Sequence, residues 1–394
     1  MAFSTPAKEI SRRIAKLQDQ LQQHSIAGAL IVQRVDLFYF SGTAQNAYLF
    51  IPAEGDSTLI VKRSLARARE ESSLKQIIPY EGMDQLAALI SDLIPKGSAI
   101  GLETDVLPAS LYFRYQKLLD DYRMIDTAKI IRLIRAVKSG YEISLMKKAA
   151  SVGKEVFHYA AQIIKPGLRE IELAGELELK ARKLGHQGAV RMRGFNQELY
   201  FGHVMSGKNA SISSFFDGPT GGSGLNPSYP QGAGHNVINK NEPILVDFVT
   251  VLEGYMVDQT RIFSLGRPAP QLKTAYDLAV SIKNTLAELG KPGVNGSSLY
   301  QKASAMVKKA GLEKHFMGCL EKVSFVGHGV GLELDELPVI AHGLDIPLEE
   351  GMVFALEPKF VFPGEGTVGI EDTFVVGSER LEQITVFSDQ LQVI

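Results

Sequence analysis

The segment ILVDFVTVLEGYMVDQTRIF, residues 244–263, predicts two apolar strands joined by a tight turn. Each strand carries one aspartate, Asp247 or Asp258, where the pattern is otherwise apolar. A turn centred between Leu252 and Glu253 places the two carboxylates directly opposite each other, with Cβ atoms roughly 4.5–5.5 Å apart. Opposed buried carboxylates repel each other and lose hydration, and a divalent cation between them removes that cost. The hairpin alone therefore indicates either a metal site or a pair of exposed strand aspartates.

The C-terminal segment GMVFALEPKFVFPGEGTVGIEDTFVV, residues 351–376, predicts a second hairpin of the same kind. A turn at Gly364 places Glu357 opposite Glu371. Between the two hairpins, SFVGHGVGLELDELP (324–338) holds His328 between glycines. A lone loop histidine is usually structural, but four carboxylates and one imidazole fit a two-metal site. Carboxylates suit Mg, Mn or Ca, and imidazole extends the range to Zn, Fe and Co. Two such ions hold a bridging hydroxide and polarise a carbonyl, which is hydrolytic chemistry.

Composition limits the class of protein. The chain has 394 residues, 45% hydrophobic and 22% charged, with a formal net charge of -2. This balance excludes a basic field for nucleic acid or anionic membrane. The single cysteine, Cys319, cannot form an internal disulfide. The N-terminal residues lack the apolar core of a signal peptide, and no apolar run approaches the roughly 18 residues of a membrane span. We therefore expect a cytoplasmic enzyme or binding protein.

Two domains are expected. In residues 1–137, short strand-like runs at 28–32, 37–40, 47–52, 57–62 and 98–103 are interspersed with helical stretches, which predicts a small α/β domain. Residues 138–394 predict an α+β domain in which two long helices are twice joined by the tripeptide KPG, at Lys165–Gly167 and Lys291–Gly293. This repetition indicates a diverged internal duplication.

These residues resemble a known family. An aspartate, a second aspartate eleven residues later, a histidine in GHG, a glutamate before proline and a glutamate in GIEDT occur in the order typical of the pita-bread metallopeptidases. That family includes methionine aminopeptidase, aminopeptidase P and prolidase, with creatinase as a metal-free relative. The framing segments VDQTRIF, GHGVGLELDELP, LEEGMVFALEP and GIEDTFVV match as well. The resemblance covers residues 139–394, and the preceding domain is similar to the N-terminal domain of the prolidase–creatinase branch.

The resemblance implies a pita-bread fold with internal pseudo-twofold symmetry and a centre of two divalent ions, manganese first, with cobalt, zinc or iron as substitutes. The implied ligands are Asp247, Asp258, His328, Glu357 and Glu371. Glu357 would also carry a proton between the attacking water and the leaving amine. The resemblance further implies a short peptide substrate of the Xaa-Pro class and a homodimer. Thr260 and Thr373 either orient the ligands or are ordinary strand residues.

Two histidines of the family pattern are replaced. Asp335 stands seven residues after His328, where the pattern has a histidine, and Pro230 stands about seventeen residues before Asp247, where it has another. An ionised aspartate accepts hydrogen bonds but cannot donate one to a developing oxyanion. His235 is either a substitute for the second histidine, if the loop is shortened, or an ordinary solvated loop histidine. His203 is a further candidate, and its alternative is a structural histidine near a sheet edge.

Asp335 instead suits a cationic partner, which is either a substrate amine or an internal arginine; the candidate arginines are Arg191, Arg193 and Arg261. Three functions therefore stay open. The first is a two-metal hydrolase of short peptides. The second is a non-peptidase enzyme on the same fold, either a hydrolase of small C–N bonds or a metal-dependent lyase. The third is a catalytically altered binding protein, which metal analysis distinguishes from the two enzymes.

Overall fold

A computed structural model describes residues 4–394, and the chain divides into two compact units between Arg135 and Ala136. Among the described residues, no helix combines the length and the hydrophobicity that a membrane crossing requires.

The first unit is built on one mixed sheet with the strand order β4-β3-β2-β1-β5-β6. Strand β1 runs antiparallel to β2 and parallel to β5. Apolar side chains of the strands and of the fourth and fifth helices form its core. The predicted α/β domain is confirmed. Its elements are α1 Ala7–Gln23, β1 Gly28–Ile31, α2 Arg34–Ser41, β2 Ala47–Pro52, β3 Thr58–Val61, α3 Leu65–Glu71, β4 Gln76–Pro79, α4 Met83–Leu93, β5 Ala99–Leu102, α5 Ala109–Leu118, β6 Arg123–Asp126 and α6 Ala128–Ala136.

The strand predicted at 37–40 is wrong, because these residues belong to helix α2. The side chain of Gln33 accepts hydrogen bonds from the first backbone N–H groups of that helix, and Gly42, with φ of 80°, ends it. Asp36, on the same helix, is buried and lies 2.6 Å from the guanidinium of Arg135. A cap at each end and a buried ion pair outweigh the strand preference of four apolar residues.

The second unit combines three sheets with four long helices, and its strand pairings are antiparallel except for that of β17 with β9. A five-stranded sheet has the order β11-β10-β12-β15-β16, a four-stranded sheet the order β17-β9-β8-β7, and β13 pairs with β14. The predicted α+β class is confirmed. The elements are α7 Gly140–Ile163, α8 Glu170–Lys183, β7 Gly202–Ser206, β8 Ile244–Leu252, β9 Tyr255–Ser264, α9 Pro270–Leu289, α10 Gly296–Ala310, β10 Phe325–Gly329, β11 Glu336–Ala341, β12 Val353–Leu356, β13 Lys359–Phe362, β14 Gly366–Gly369, β15 Asp372–Val376, β16 Leu381–Gln383 and β17 Gln392–Val393.

The predicted internal repeat is visible in equivalent hydrogen bonds. The glycine of the first KPG turn, Gly167, donates its N–H to the carbonyl of Ile238 at 3.0 Å. The glycine of the second, Gly293, donates to the carbonyl of Leu348 at 2.9 Å. Both glycines adopt the left-handed region, with φ of 85° and 87°. Each KPG turn is thus tied to the segment that leads into the acidic hairpin of its own half.

The first acidic hairpin differs from its predicted register. The turn consists of Glu253–Gly254, whose φ values of 51° and 88° suit a two-residue hairpin turn. Asp247 consequently pairs with Thr260 rather than with Asp258, so the prediction is wrong by two residues. Because strand side chains alternate between faces, a shift of two keeps both aspartates on one face as diagonal neighbours.

The second acidic hairpin has the register predicted for a turn at Gly364. Strands β12 and β15 form one ladder, β13 and β14 form another, and both ladders are in register about that turn. Glu357 and Glu371 lie in the gap between the two ladders. In that gap Glu371 instead bridges to Thr260 of β9. The interruption frees both glutamates from the sheet and joins the two hairpins at one point.

Candidate metal centre

One cavity of about 340 Å³ contains all five of the predicted ligands. Strands β8 and β9 supply two of them, strand β10 the histidine, and the interrupted hairpin the two glutamates. The ligands that line the cavity are Asp247, Asp258, His328, Glu357 and Glu371.

His328 is oriented as a metal-ligating histidine. Its Nδ1 lies 2.8 Å from the carbonyl oxygen of Leu334, so Nδ1 carries a hydrogen and donates it. The opposite nitrogen, Nε2, faces Asp258, Glu357 and Glu371 at 3.8, 3.7 and 3.6 Å. Two donors bound to one ion at about 2.1 Å each lie roughly 3.4 Å apart in tetrahedral geometry. These separations therefore fit donors that share one ion.

Two buried oxygens in the same place have no hydrogen-bond partner. They are Oδ1 of Asp258 and Oε1 of Glu371. Their residues are only 4% and 1% exposed, so water does not satisfy them from bulk. Buried polar atoms without partners are rare and call for an ion or an ordered water. Asp258, His328 and Glu371 each offer a ligand atom within 4.8 Å of the others. This half of the ligand set fits a divalent cation.

The other half of the ligand set surrounds a lysine. The Nζ of Lys359 lies 2.9 Å from Asp247 Oδ2 and 2.8 Å from both Glu357 Oε2 and Glu371 Oε2. An ammonium has three N–H groups, and each has a carboxylate acceptor here. Lys359 is buried, and its ammonium is enclosed by acidic side chains.

This arrangement departs from the predicted pair of ions. An ion bound by Asp247 together with Glu371 would need the space that the Lys359 ammonium fills. The residues present therefore do not fit a metal at that position, while they fit one beside His328. Sequence reasoning did not identify Lys359. The available signal was strand alternation, which places the second residue after Glu357 on the same face as that glutamate.

Electrostatics inside the cluster reflect the burial of many acids. Burial and the neighbouring carboxylates of Glu371 and Asp247 raise the pKa of Asp258 well above its usual range. Burial likewise raises the pKa of Glu357 to about 7, although Lys359 opposes the shift. Burial acts in the same direction on Glu371, but there the ammonium of Lys359 and the imidazole outweigh it and lower the pKa to about 2. The cluster therefore holds more acid than its one lysine neutralises.

The imidazole responds to the same field. Burial opposes a charge on His328, but Glu371, Glu357 and Asp258 outweigh it and raise the pKa to about 10. Because a histidine must be deprotonated to ligate, metal binding here releases a proton.

Two threonines form hydrogen bonds with the ligand residues. Thr260 donates its hydroxyl to Glu371 Oε2 at 2.7 Å. The hydroxyl of Thr373 accepts from the backbone N–H of Asp258 and donates to its carbonyl, both at 2.9 Å. Thr260 thus orients a ligand carboxylate directly, and Thr373 fixes the backbone of a second ligand. Such contacts are typical of groups that surround metal ligands.

Arg261 is not the partner of Asp335. Its guanidinium is fully buried and pairs with Asp372 at 2.9 Å, and it also donates to the carbonyl of Glu371 at 2.8 Å. Lys283 reaches the same Asp372 carboxylate at 2.7 Å. This buried network supports the strand that follows Glu371 from the side away from the cavity.

Asp335 lies on the cavity wall and binds backbone. Its carboxylate accepts hydrogen bonds from the N–H groups of Arg193 and Gly194 at 2.7 and 2.6 Å. The guanidinium of Arg193 lies 3.5 Å from Glu333. Asp335 therefore positions the segment around Gly194, which also lines the cavity.

The prediction that His235 replaces a missing histidine is not supported by its location. His235 is exposed and does not line the cavity. His203 does line it, is 4% exposed, and its Nε2 lies 3.3 Å from Gln231 Oε1. His203 also stands opposite Asp247 in the β7–β8 ladder, which directs it toward the acids. The strand pairing, which sequence alone did not specify, selects His203 over His235.

Comparison with known proteins agrees with this geometry. Residues 144–378, more than half of the chain, match metallopeptidase family M24. Residues 13–137 match the creatinase/prolidase N-terminal domain. All five candidate ligands lie within residues 144–378, the segment that matches the peptidase family.

Individual relatives cover nearly the whole chain. A Xaa-Pro dipeptidase of Pyrococcus furiosus is 25% identical over 380 residues, covering 95% of this chain and 98% of the relative. Among solved structures, a Xaa-Pro dipeptidase from Bacillus anthracis superposes with a TM-score of 0.84 at 25% identity, covering 98% and 100% of the two chains. The X-Pro aminopeptidase of Thermotoga maritima gives 0.81 at 25% identity, covering 97% and 99%. These likenesses identify an enzyme of the peptidase class.

Proposed function

Because the chain belongs to metallopeptidase family M24, we propose that it is a metal-dependent hydrolase of short peptides, with Xaa-Pro dipeptides as the leading substrate class. The observation that carries the proposal is the convergence of Asp258, His328 and Glu371 on one cavity. Asp258 and Glu371 each also carry one buried oxygen that has no hydrogen-bond partner. The names of the relatives, Xaa-Pro dipeptidase and X-Pro aminopeptidase, support the substrate class.

Asp258, His328 and Glu371 would hold the ion. A divalent ion bound there supplies Lewis acidity and lowers the pKa of a water molecule toward neutrality. Two carboxylates and one imidazole suit manganese, with cobalt, zinc or iron as substitutes. Thr260, through its hydrogen bond to Glu371, holds the ligand geometry.

Glu357 is the proposed acid–base group. Its Oε1 lies 3.7 Å from His328 Nε2, at the edge of the metal position, while its Oε2 is held by Lys359. A carboxyl with one oxygen fixed and the other facing the water takes a proton and passes it to the leaving amine.

The cavity supports a small substrate. Its volume of about 340 Å³ lies at the lower end of the range of roughly 300–1,000 Å³ for small-molecule pockets. The cavity lining also includes Phe195, Phe216 and Gly194. An aromatic wall of this kind suits an apolar ring or side chain of a dipeptide-sized molecule.

A second candidate is a non-peptidase hydrolase of small C–N bonds on the same fold. Two observations favour it: Lys359 fills the space of one predicted ion, and Asp335 binds backbone where the family pattern has a histidine. The first change alters the metal site, and the second alters the cavity wall. This candidate function predicts a substrate other than a proline peptide.

Three further statements rest on the resemblance to the prolidase–creatinase branch or on composition. We propose a homodimer, and we expect light scattering to give twice the chain mass of 43.1 kDa. We propose a location in the cytoplasm. We also propose that residues 1–137 and 138–394 are the functional domains.

The decisive experiment is a substrate panel with the Mn²⁺-loaded protein. The panel contains Xaa-Pro dipeptides, dipeptides without proline, Xaa-Pro-containing tripeptides, and small amidino and N-acyl compounds, with products identified by mass spectrometry. Glu357→Gln is the matched inactive control, because it keeps the shape and removes the proton transfer. Turnover of Xaa-Pro dipeptides that Glu357→Gln abolishes supports the proposal. Turnover confined to the non-peptide compounds selects the second candidate, and no turnover of any amide contradicts both.

A further inference from the structure

We infer that the Lys359 ammonium takes the place of one metal ion, so that the centre holds one divalent cation per chain, between Asp258, His328 and Glu371. This inference concerns the metal centre of the proposed hydrolase and deepens that proposal. Its test is a count of bound ions, which does not depend on any substrate.

The Lys359 ammonium occupies the space that a second ion would need. Lys359 Nζ contacts three carboxylates at 2.8–2.9 Å, so it stands at the point where the ligand oxygens of Asp247, Glu357 and Glu371 converge. Lys359 is on β13, in register with Gly369. Lys359 is only 2% exposed, so its ammonium is not held in solvent. An ion bound by Asp247 and Glu371 and the ammonium therefore exclude each other.

The net charge of the cluster fits one divalent ion. The four carboxylates and the ammonium of Lys359 leave a net charge of minus three when all the acids are ionised. One divalent ion brings the cluster close to neutrality. A second divalent ion would make it positive and would bring a dication against an ammonium in a buried site, where such repulsion is strong.

The buried oxygens that lack hydrogen-bond partners belong to only one of the two predicted ion positions. All three acceptor oxygens around Lys359 are satisfied by its N–H groups. The oxygens without partners, Asp258 Oδ1 and Glu371 Oε1, belong to the ligand group that includes His328. The demand for a cation is thus confined to one of the two positions. Glu371 serves both, with one oxygen toward each.

A consequence separates this centre from a two-ion centre. Asp247 contacts the ammonium and is not a ligand of the remaining ion. We expect Asp247→Asn to bind the ion with a dissociation constant within about threefold of the parent. Loss of a group that merely orients a ligand typically costs about 10–100-fold in metal affinity, and loss of a ligand costs at least as much.

The experiment is metal counting by plasma mass spectrometry after loading with Mn²⁺ and gel filtration. We expect one ion per parent chain, one for Asp247→Asn, and none for His328→Ala. Lys359→Ala vacates the second position and should bind two. Lys283→Ala is the matched control: it also removes a buried lysine paired with acids, but one outside the ligand set, and it should retain one ion.

Two ions per parent chain, or none, would overturn the inference, as would a single ion in folded Lys359→Ala. If Lys359→Ala does not fold, the parent count and the Asp247→Asn affinity decide the question. Failure of the proposed function gives a different pattern. A parent chain that holds one ion but cleaves no amide contradicts the function only, whereas active protein with two ions contradicts the inference only.

Discussion

Substitution of Lys359 by alanine should destabilise the second unit when metal is removed with EDTA. The change leaves the carboxylates of Asp247, Glu357 and Glu371 buried without their shared donor. Removing one partner of a buried ion pair typically costs about 3–5 kcal/mol. Three charge-assisted hydrogen bonds at about 1.5–3 kcal/mol each give a larger gross value, which the desolvation of the ammonium reduces. For a unit of this size the melting temperature should fall by about 6–10 °C, at roughly 2 °C per kcal/mol.

Manganese should reverse most of that loss. A ligand at a hundred times its dissociation constant stabilises the folded state by about 2.7 kcal/mol. The parent gains this once, and Lys359→Ala gains it twice because its second position is open. The difference between the two proteins should therefore shrink to about 0–2 kcal/mol. Lys283→Ala should lose stability in EDTA and gain from manganese only as much as the parent.

Differential scanning calorimetry is the suitable assay, because the chain contains no tryptophan and the two units can melt separately. The transition to follow is the one that shifts with manganese in the parent. Equal manganese shifts for the parent and Lys359→Ala would refute the reasoning. So would a Lys359→Ala variant that is as stable as the parent in EDTA.

Three other predictions follow from contacts around the site. The neutral ring of His186 donates to a backbone carbonyl and accepts from a backbone N–H, and burial lowers its pKa from 6.5 to about 4. Because the unfolded chain binds this proton more readily, stability present above pH 6.5 should fall by up to about 3 kcal/mol as the pH drops to 4. Urea titrations of His186→Gln should show a shallower fall, and an unchanged slope would contradict the assignment. Thr260→Val should weaken Mn²⁺ binding about 10–100-fold by calorimetric titration, because Glu371 loses its orienting hydroxyl; an unchanged affinity would mean that this bond is incidental. Asp335→His should raise KM more than it lowers kcat, because the N–H of Gly194 loses its acceptor on the cavity wall; higher activity would instead show that the histidine of the family pattern is preferred.

The register of a hairpin could be predicted from the sequence where the residues of its turn determine the turn conformation. The register of the second hairpin followed from its PGEG turn, and the ladders on both sides of the gap agree with it. The first hairpin was misplaced by two residues because Glu253, a non-glycine residue, adopts positive φ beside Gly254. Sequence offers only a weak indication of that conformation. Both aspartates nevertheless reached the cavity, since a shift of two preserves the face.

The other residues of the site, Lys359 and His203, were harder to predict from the sequence than the five ligands. The acids and His328 form a pattern that sequence order displays, whereas Lys359 is one lysine among apolar strand residues and is usually interpreted as an edge charge. Its role depends on the gap between two ladders, which only the three-dimensional pairing shows. The choice of His203 over His235 likewise depends on which strand lies beside Asp247.

The position of the acids in the repeat has a consequence for assembly of the fold. Asp258 belongs to the first half of the second unit and Glu371 to the second half, and the two halves meet at the bridge between Thr260 and Glu371. An ion bound by both carboxylates would link the two halves at this bridge. Its binding free energy adds to the docking of the halves, so either half expressed alone should lack the high-affinity site. The free energy that holds the two halves together should therefore depend on the concentration of the metal ion.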